Sequence, residues 1–199
     1  MNDTVRALLI FLSLLVGSAL AACTPQSTGD PPLKGAAIGG PFTLTDQNGK
    51  RVSDRDFAGK YRIVYFGFSY CPDICPTDLL AIGQGLRRFE ESDHARAAKV
   101  QPIFITVDPE RDTPAVLKPY VAAFHPRLIG LTGSPDEIAA AAKHFAIYFA
   151  KEQREGASAY TMNHSRQTIL FGPDGDPIAL LPSDKGGEAV ASELVRWVR

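Results

Sequence analysis

Two cysteines four positions apart, Cys71 and Cys75, stand in the stretch Cys71-Pro72-Asp73-Ile74-Cys75-Pro76. A dithiol at that spacing can close a short disulfide, cycle as a redox couple or hold a soft metal ion. A purely stabilising disulfide gains little here, because closing so short a loop removes little entropy from the unfolded chain. Disulfide oxidoreductases of the thioredoxin type use Cys-x-x-Cys, and the third intervening residue in this chain shifts the balance towards metal binding. Those oxidoreductases also place a cis-proline before a strand facing the cysteines. Here no proline lies between Pro135 and Pro173, and Asn163-His164-Ser165 occupies the corresponding region. Two thiolates and one neutral imidazole, from Cys71, Cys75 and His164, suit a soft, low-coordinate ion such as Cu(I). His94, His125 and His144 read as structural or exposed, and Met162 as a residue that fills a core gap.

The elements that must position these groups are legible in outline. Tyr61–Phe68 is β-branched and aromatic almost throughout, the pattern of a strand buried on both faces, and the cysteine motif follows it directly. Pro76-Thr77-Asp78 suits a helix first turn, and Leu79, Leu80, Ile82, Leu86 and Phe89 recur at helical spacing. The carboxyl end of a buried strand at the start of a helix is where open α/β sheets bind ligands. The positive end of the helix dipole there favours thiolate over thiol. A second buried strand over 100–107, helices over 114–124 and 135–145 and a short strand over 128–131 follow. A projecting hairpin is expected over 148–160. A further hairpin pairs 167–171 with 178–181 around Gly172-Pro173-Asp174-Gly175, and an amphipathic helix closes the chain over 188–199. Phe42–Thr45 and Arg51-Val52 flank the Asn48-Gly49 turn as a hairpin ahead of all this. The order describes an α/β sandwich of the thioredoxin type with an added N-terminal β-hairpin and an inserted hairpin before the last sheet hairpin.

Ahead of that domain, residues 7–22 form an apolar and small-residue run after Arg6, the layout of a secretory signal peptide. It ends in Leu20-Ala21-Ala22-Cys23, which resembles the lipobox of bacterial lipoproteins. Cleavage before Cys23 would make that residue the lipid attachment point; the alternatives are an uncleaved anchor or ordinary cleavage after Ala22. Lipidation of Cys23 also leaves Cys71 and Cys75 as a pair in an exported protein. Residues 24–41, rich in Pro and Gly, read as a flexible tether, so the expected organisation is signal peptide 1–22, tether 23–41 and globular domain 42–199. With 21 Lys plus Arg against 22 Asp plus Glu, the chain carries no basic footprint for nucleic acid.

Tyr65-Phe66-Gly67-Phe68-Ser69-Tyr70-Cys71-Pro72-Asp73-Ile74-Cys75-Pro76-Thr77-Asp78-Leu79, Ile105-Thr106-Val107-Asp108-Pro109-Glu110-Arg111-Asp112-Thr113-Pro114, Asn163-His164-Ser165 and the Gly172–Gly175 turn together resemble the Sco (SenC) family, over residues 42–199. The resemblance implies a thioredoxin-like fold, a membrane anchor on the periplasmic side and one copper ion held by Cys71, Cys75 and His164. It implies assembly of the CuA centre in subunit II of cytochrome c oxidase, with other copper chaperones and thioredoxin-like reductants as further partners. A reductase acting through a Cys71–Cys75 disulfide is the alternative. The family often has Asp before its histidine, where this chain has Asn163. Asp108, Arg111 and Asp112 follow the second buried strand and are expected on the same rim as the cysteines. They and Asp73 are candidates for partner recognition, while Asp112 and Thr113 also suit a helix cap before Pro114.

Overall fold

The computed structural model describes residues 29–153, 156 and 159–199. The expected signal peptide over 1–22 and the expected lipidation site Cys23 lie outside the described residues. The frame is a sheet in which β3 (Tyr61–Gly67) and β4 (Val100–Thr106) run parallel at the centre, every residue buried except Arg62 and Gln101. β5 (Ile129–Thr132) extends the parallel side, and β8 (Thr168–Phe171) and β9 (Pro177–Leu181) form the antiparallel hairpin on the other side of β3. The N-terminal hairpin of β1 (Thr43–Asp46) and β2 (Arg51–Ser53) adds to the β5 edge, so the order is β2-β1-β5-β4-β3-β8-β9. The fold is thioredoxin-like, as expected, with the added hairpin at the sheet edge.

Successive residues of a strand point to opposite faces, and β3 uses this to serve two layers. Tyr65 turns towards α1 (Ile74–Ser92), where its hydroxyl donates to Asp78. Phe66 turns the other way, onto Phe145 just past α3 (Pro135–His144), with ring centroids 5.5 Å apart. α2 (Pro114–Ala122) starts at Thr113, whose hydroxyl accepts from the Val116 amide, and packs Leu117 and Val121 against β5. α4 (Gly187–Trp197) lies against α1 so closely that Gly85 faces Val190 with no room for a β-carbon.

Two expectations about boundaries are corrected. Residues 33–41 are not free tether: the Leu33 amide donates to the Ile178 carbonyl and the Gly39 amide to the His144 carbonyl, and Leu33 and Ile38 pack on the core. Too few apolar residues lie there to show periodicity, yet two suffice to dock the segment once the sheet supplies a surface. The projecting hairpin runs further than 148–160. Its strands are β6 (Phe149–Glu152) and β7 (Thr161–His164), paired separately from the main sheet with Phe149 opposite His164. No helix of the described residues is long and apolar enough to cross a membrane.

Candidate metal centre

β3 ends at Gly67, and α1 starts two residues before the expected Pro76, so that Cys75 sits in its first turn and Cys71 in the turn before it. Asp73 occupies the N-cap position but its carboxylate makes no capping bond. The Cys71 sulfur takes that role, accepting from the Cys75 amide at 3.4 Å. Helix-start amides and a hydrogen bond from a neighbouring thiol both favour thiolate. The Cys71 thiol is accordingly lowered to about 5, first by the hydrogen bond from the Cys75 thiol and then by the amides of Cys75, Asp73 and Ile74, against the effect of burial. Cys75 is fully buried, and the neighbouring Cys71 sulfur together with burial pushes its thiol up. Both cysteines are free.

His164 is delivered by the last residue of β7. Its Nδ1 lies 2.8 Å from the Ser165 carbonyl oxygen, which can only accept, so Nδ1 carries the proton. The lone pair is therefore on Nε2, 3.3 Å from the Cys75 sulfur. For scale, a sulfur at about 2.3 Å and a nitrogen at about 2.0 Å on one tetrahedral zinc ion lie about 3.5 Å apart. The Phe68 and Tyr65 rings stand edge-on to the imidazole, with centroids 5.9 and 6.5 Å away, and limit its rotation. Among the described residues no three His, Cys, Asp or Glu side chains stand together closely enough to hold a metal ion. The Cys75 sulfur and His164 Nε2 are at hydrogen-bonding distance, and the Cys71 sulfur accepts from the Cys75 amide, so the three expected donors lie along one chain of contacts. Asn163 faces solvent, and Met162 is a buried core residue.

The 108–112 loop does lie beside the site, but its carboxylates face inward. Asp112 is fully buried and accepts from the Ser69 amide at 3.0 Å, the Ser69 hydroxyl and the Thr106 hydroxyl. Asp108 is buried, paired with Arg111 and accepting from the Tyr160 hydroxyl at 2.8 Å. Neither presents a surface to a partner. A buried acidic group must be hydrogen-bonded, and these obtain their donors by tying the cysteine loop and the hairpin to β4. Arg111 is mostly covered, its guanidinium lying over Tyr160 at 3.8 Å and Tyr70 at 4.8 Å while Nη1 donates to the Tyr160 carbonyl. Of the four recognition candidates only Asp73 is exposed. It stands beside Ile74 and near Tyr70, which are 43% and 57% exposed and flank Cys71.

Three further residues, Gly67, Asp78 and Arg166, support the cysteine and histidine segments. Gly67 leaves the space the Cys75 sulfur fills: a β-carbon there would stand 3.0 Å from it. A glycine inside an aromatic and β-branched strand is the usual sign of such a close approach. Asp78 falls on the stripe 75, 78, 79, 82, 86, 89 that α1 buries, and is itself fully buried. An acid on an apolar stripe demands a partner, and Arg166 supplies it with two 2.8 Å bonds.

A family model described as SCO1/SenC matches residues 30–199. The mitochondrial SCO1 homolog 1 of Arabidopsis thaliana is 40% identical over 164 residues, covering 82% of this chain and 48% of its own length. This chain thus spans about half the length of several curated relatives it matches. The SCO2-like protein of Rickettsia prowazekii (strain Madrid E) is 38% identical over 185 residues, 88% of each chain. Among solved structures, copper-bound ScoI of Bradyrhizobium japonicum superimposes with a TM-score of 0.73 at 42% identity, covering 81% of this chain and 100% of that one. BsSco, described as a Sco-family cytochrome c oxidase assembly protein with a disulfide switch, gives a TM-score of 0.60 at 26% identity over 84% of this chain and 96% of its own. With a family model spanning the whole described domain and relatives at these identities, the chain belongs to the SCO1/SenC family.

Proposed function

We propose that this protein is a copper metallochaperone that holds one copper ion through Cys71, Cys75 and His164 and passes it to the CuA centre in subunit II of cytochrome c oxidase. The observation that carries this reading is the Nε2 lone pair of His164 aimed at the Cys75 sulfur, at the separation of two ligands on one ion. The copper-bound relative at 42% identity and the oxidase-assembly family of BsSco support the metal and the pathway. Of the two thiols, Cys71 is the partly exposed one and Cys75 the buried one. An incoming partner ligand therefore meets copper from the Cys71 side, between Tyr70, Ile74 and Asp73, and release runs by ligand exchange without turnover. Loading requires Cys75 to lose its proton, which makes binding weaker as pH falls. Other copper chaperones would supply the ion, and thioredoxin-like reductants would keep the dithiol reduced. Removal of residues 1–22 and lipidation of Cys23 would hold the domain at the periplasmic face of a bacterial membrane.

A second reading, a thiol-disulfide reductase for the oxidase cysteines, is favoured by one feature: an acidic Cys71 thiol hydrogen-bonded to a second free thiol suits exchange as well as metal binding. The variant His164→Ala separates the two, because exchange needs only the sulfurs. For a chaperone, cells carrying only that variant have low oxidase activity resembling a Cys71→Ala strain, and added copper restores part of it. Normal respiration with His164→Ala alongside failure of either cysteine variant would install the reductase reading instead.

A further inference from the structure

The ligand-bearing segments are also joined behind the metal centre. Asp78 lies three residues after Cys75 on α1 and is fully buried. Arg166 lies two residues after His164, in the connector between β7 and β8. Its Nε donates to Asp78 Oδ2 and its Nη2 to Oδ1, each at 2.8 Å, and the Tyr65 hydroxyl adds a third bond to Oδ2 at 3.1 Å. The other side of the connector is pinned to the hairpin: the Ser165 amide donates to the Tyr148 carbonyl at 2.8 Å, and the Tyr148 amide to the Ser165 hydroxyl at 3.0 Å. Ser165 in turn orients the imidazole through its carbonyl.

We propose that Arg166 is a positioning residue for the metal centre, its two-pronged bond to Asp78 clamping the segment that carries His164 onto the helix that carries Cys75. A buried carboxylate needs a counter-charge wherever it sits, and a point cation would meet that need. A planar guanidinium bound at both oxygens does more, because two parallel bonds fix direction as well as distance. Arg166 is 44% exposed at its side chain while Asp78 has no exposure, so the clamp reaches inward from the surface to a helix position one turn beyond the Cys75 ligand. The proposal rests on the ligand set given under Proposed function.

The test uses the full chain, reduced, loaded with copper and then oxidised to Cu(II). Affinity is read by competition with a chelator, and histidine coordination by nitrogen coupling in the electron paramagnetic resonance spectrum. Removing a partner bonded directly to a metal ligand costs about 10–100-fold in affinity, and Arg166 acts one step further out. Arg166→Lys keeps the charge but not the fork, and Arg166→Gln removes both; each is expected to lose several-fold, up to about tenfold, and to weaken the nitrogen coupling. The pair Asp78→Asn with Arg166→Gln replaces the ions by amides that can still bond. It is expected to lose less than the sum of its single variants, the signature of two residues acting through each other. If Arg166→Gln does not fold, Arg166→Lys and the paired variant decide, since neither leaves a bare buried carboxylate. Wild-type affinity and nitrogen coupling in Arg166→Lys, or strictly additive losses in the pair, overturn the clamp; a fall in apo melting temperature with unchanged coupling does so too, by showing a structural role alone. His164→Ala is the control for the ligand set. If it keeps the wild-type coupling, His164 is not a ligand and the ligand set itself fails, taking the clamp with it, whereas loss of coupling in His164→Ala but not in the Arg166 variants defeats the clamp alone.

Discussion

The Nε2 atom of His164 lies 3.3 Å from the Sγ atom of Cys75, 89 residues earlier in the chain. Because Nδ1 is committed to the Ser165 carbonyl, the tautomer that can bind a metal is already selected before any ion arrives. Part of the ordering needed for binding is therefore completed on folding.

Reduced protein is expected to take up one copper per chain. Loss of an outer partner already costs about 10–100-fold, so Cys71→Ala, Cys75→Ala and His164→Ala should each exceed that range in a chelator competition. Full-affinity binding by a variant lacking both cysteines would place the site elsewhere.

Thiol reactivity should report the asymmetry of the pair. With its thiol lowered to about 5, Cys71 is thiolate at neutral pH, and its alkylation by iodoacetamide should be level near pH 7 and fall as pH drops through about 5. Cys75, buried and pushed up, should react far more slowly. Peptide mapping after timed alkylation of the reduced, metal-free protein distinguishes them, and a Cys71 midpoint near the ordinary thiol value of about 8.5 contradicts the structure.

Asp112→Ala should destabilise the fold. It strips the acceptor from the Ser69 amide and from the Ser69 and Thr106 hydroxyls, and a buried donor left unsatisfied costs about 1–3 kcal/mol. Denaturant unfolding measures this. Unchanged stability together with lost oxidase assembly would return Asp112 to partner recognition.

Gly85→Ala sets two effects against each other. Alanine gains about 1 kcal/mol in helix propensity, but its β-carbon would stand 2.6 Å from Val190 and 2.9 Å from the Gly187 carbonyl oxygen. Backbone cannot yield as a side chain can, and overpacking costs about 1–3 kcal/mol, so a lower melting temperature is expected with copper affinity intact. A raised melting temperature would show that α4 moves aside.

Labelled fatty acid should enter the full chain through Cys23 and not its Cys23→Ala variant. Undiminished labelling in that variant counts against lipidation, and lost labelling with retained membrane association points to an uncleaved anchor.

The strands, the helices and the placement of the cysteines at the end of β3 were legible in the sequence, because each depends on neighbours within a few residues: the β-branched run, the apolar stripe, the Asn48-Gly49 turn. The candidate donor types were legible for the same reason, since thiol and imidazole chemistry is carried by the residue itself. Sequence alone also placed Asp108 and Asp112 beside the site, correctly, but not the direction they face. Whether a carboxylate at the end of a strand looks to solvent or inward depends on which donors the neighbouring loop brings, here Ser69 and Tyr160. The docking of Leu33 and Ile38, the Asp78–Arg166 pair and the approach of His164 to Cys75 were likewise settled only by the tertiary structure. Each joins segments far apart in the chain, and their meeting follows from strand register and helix packing, which no local periodicity encodes.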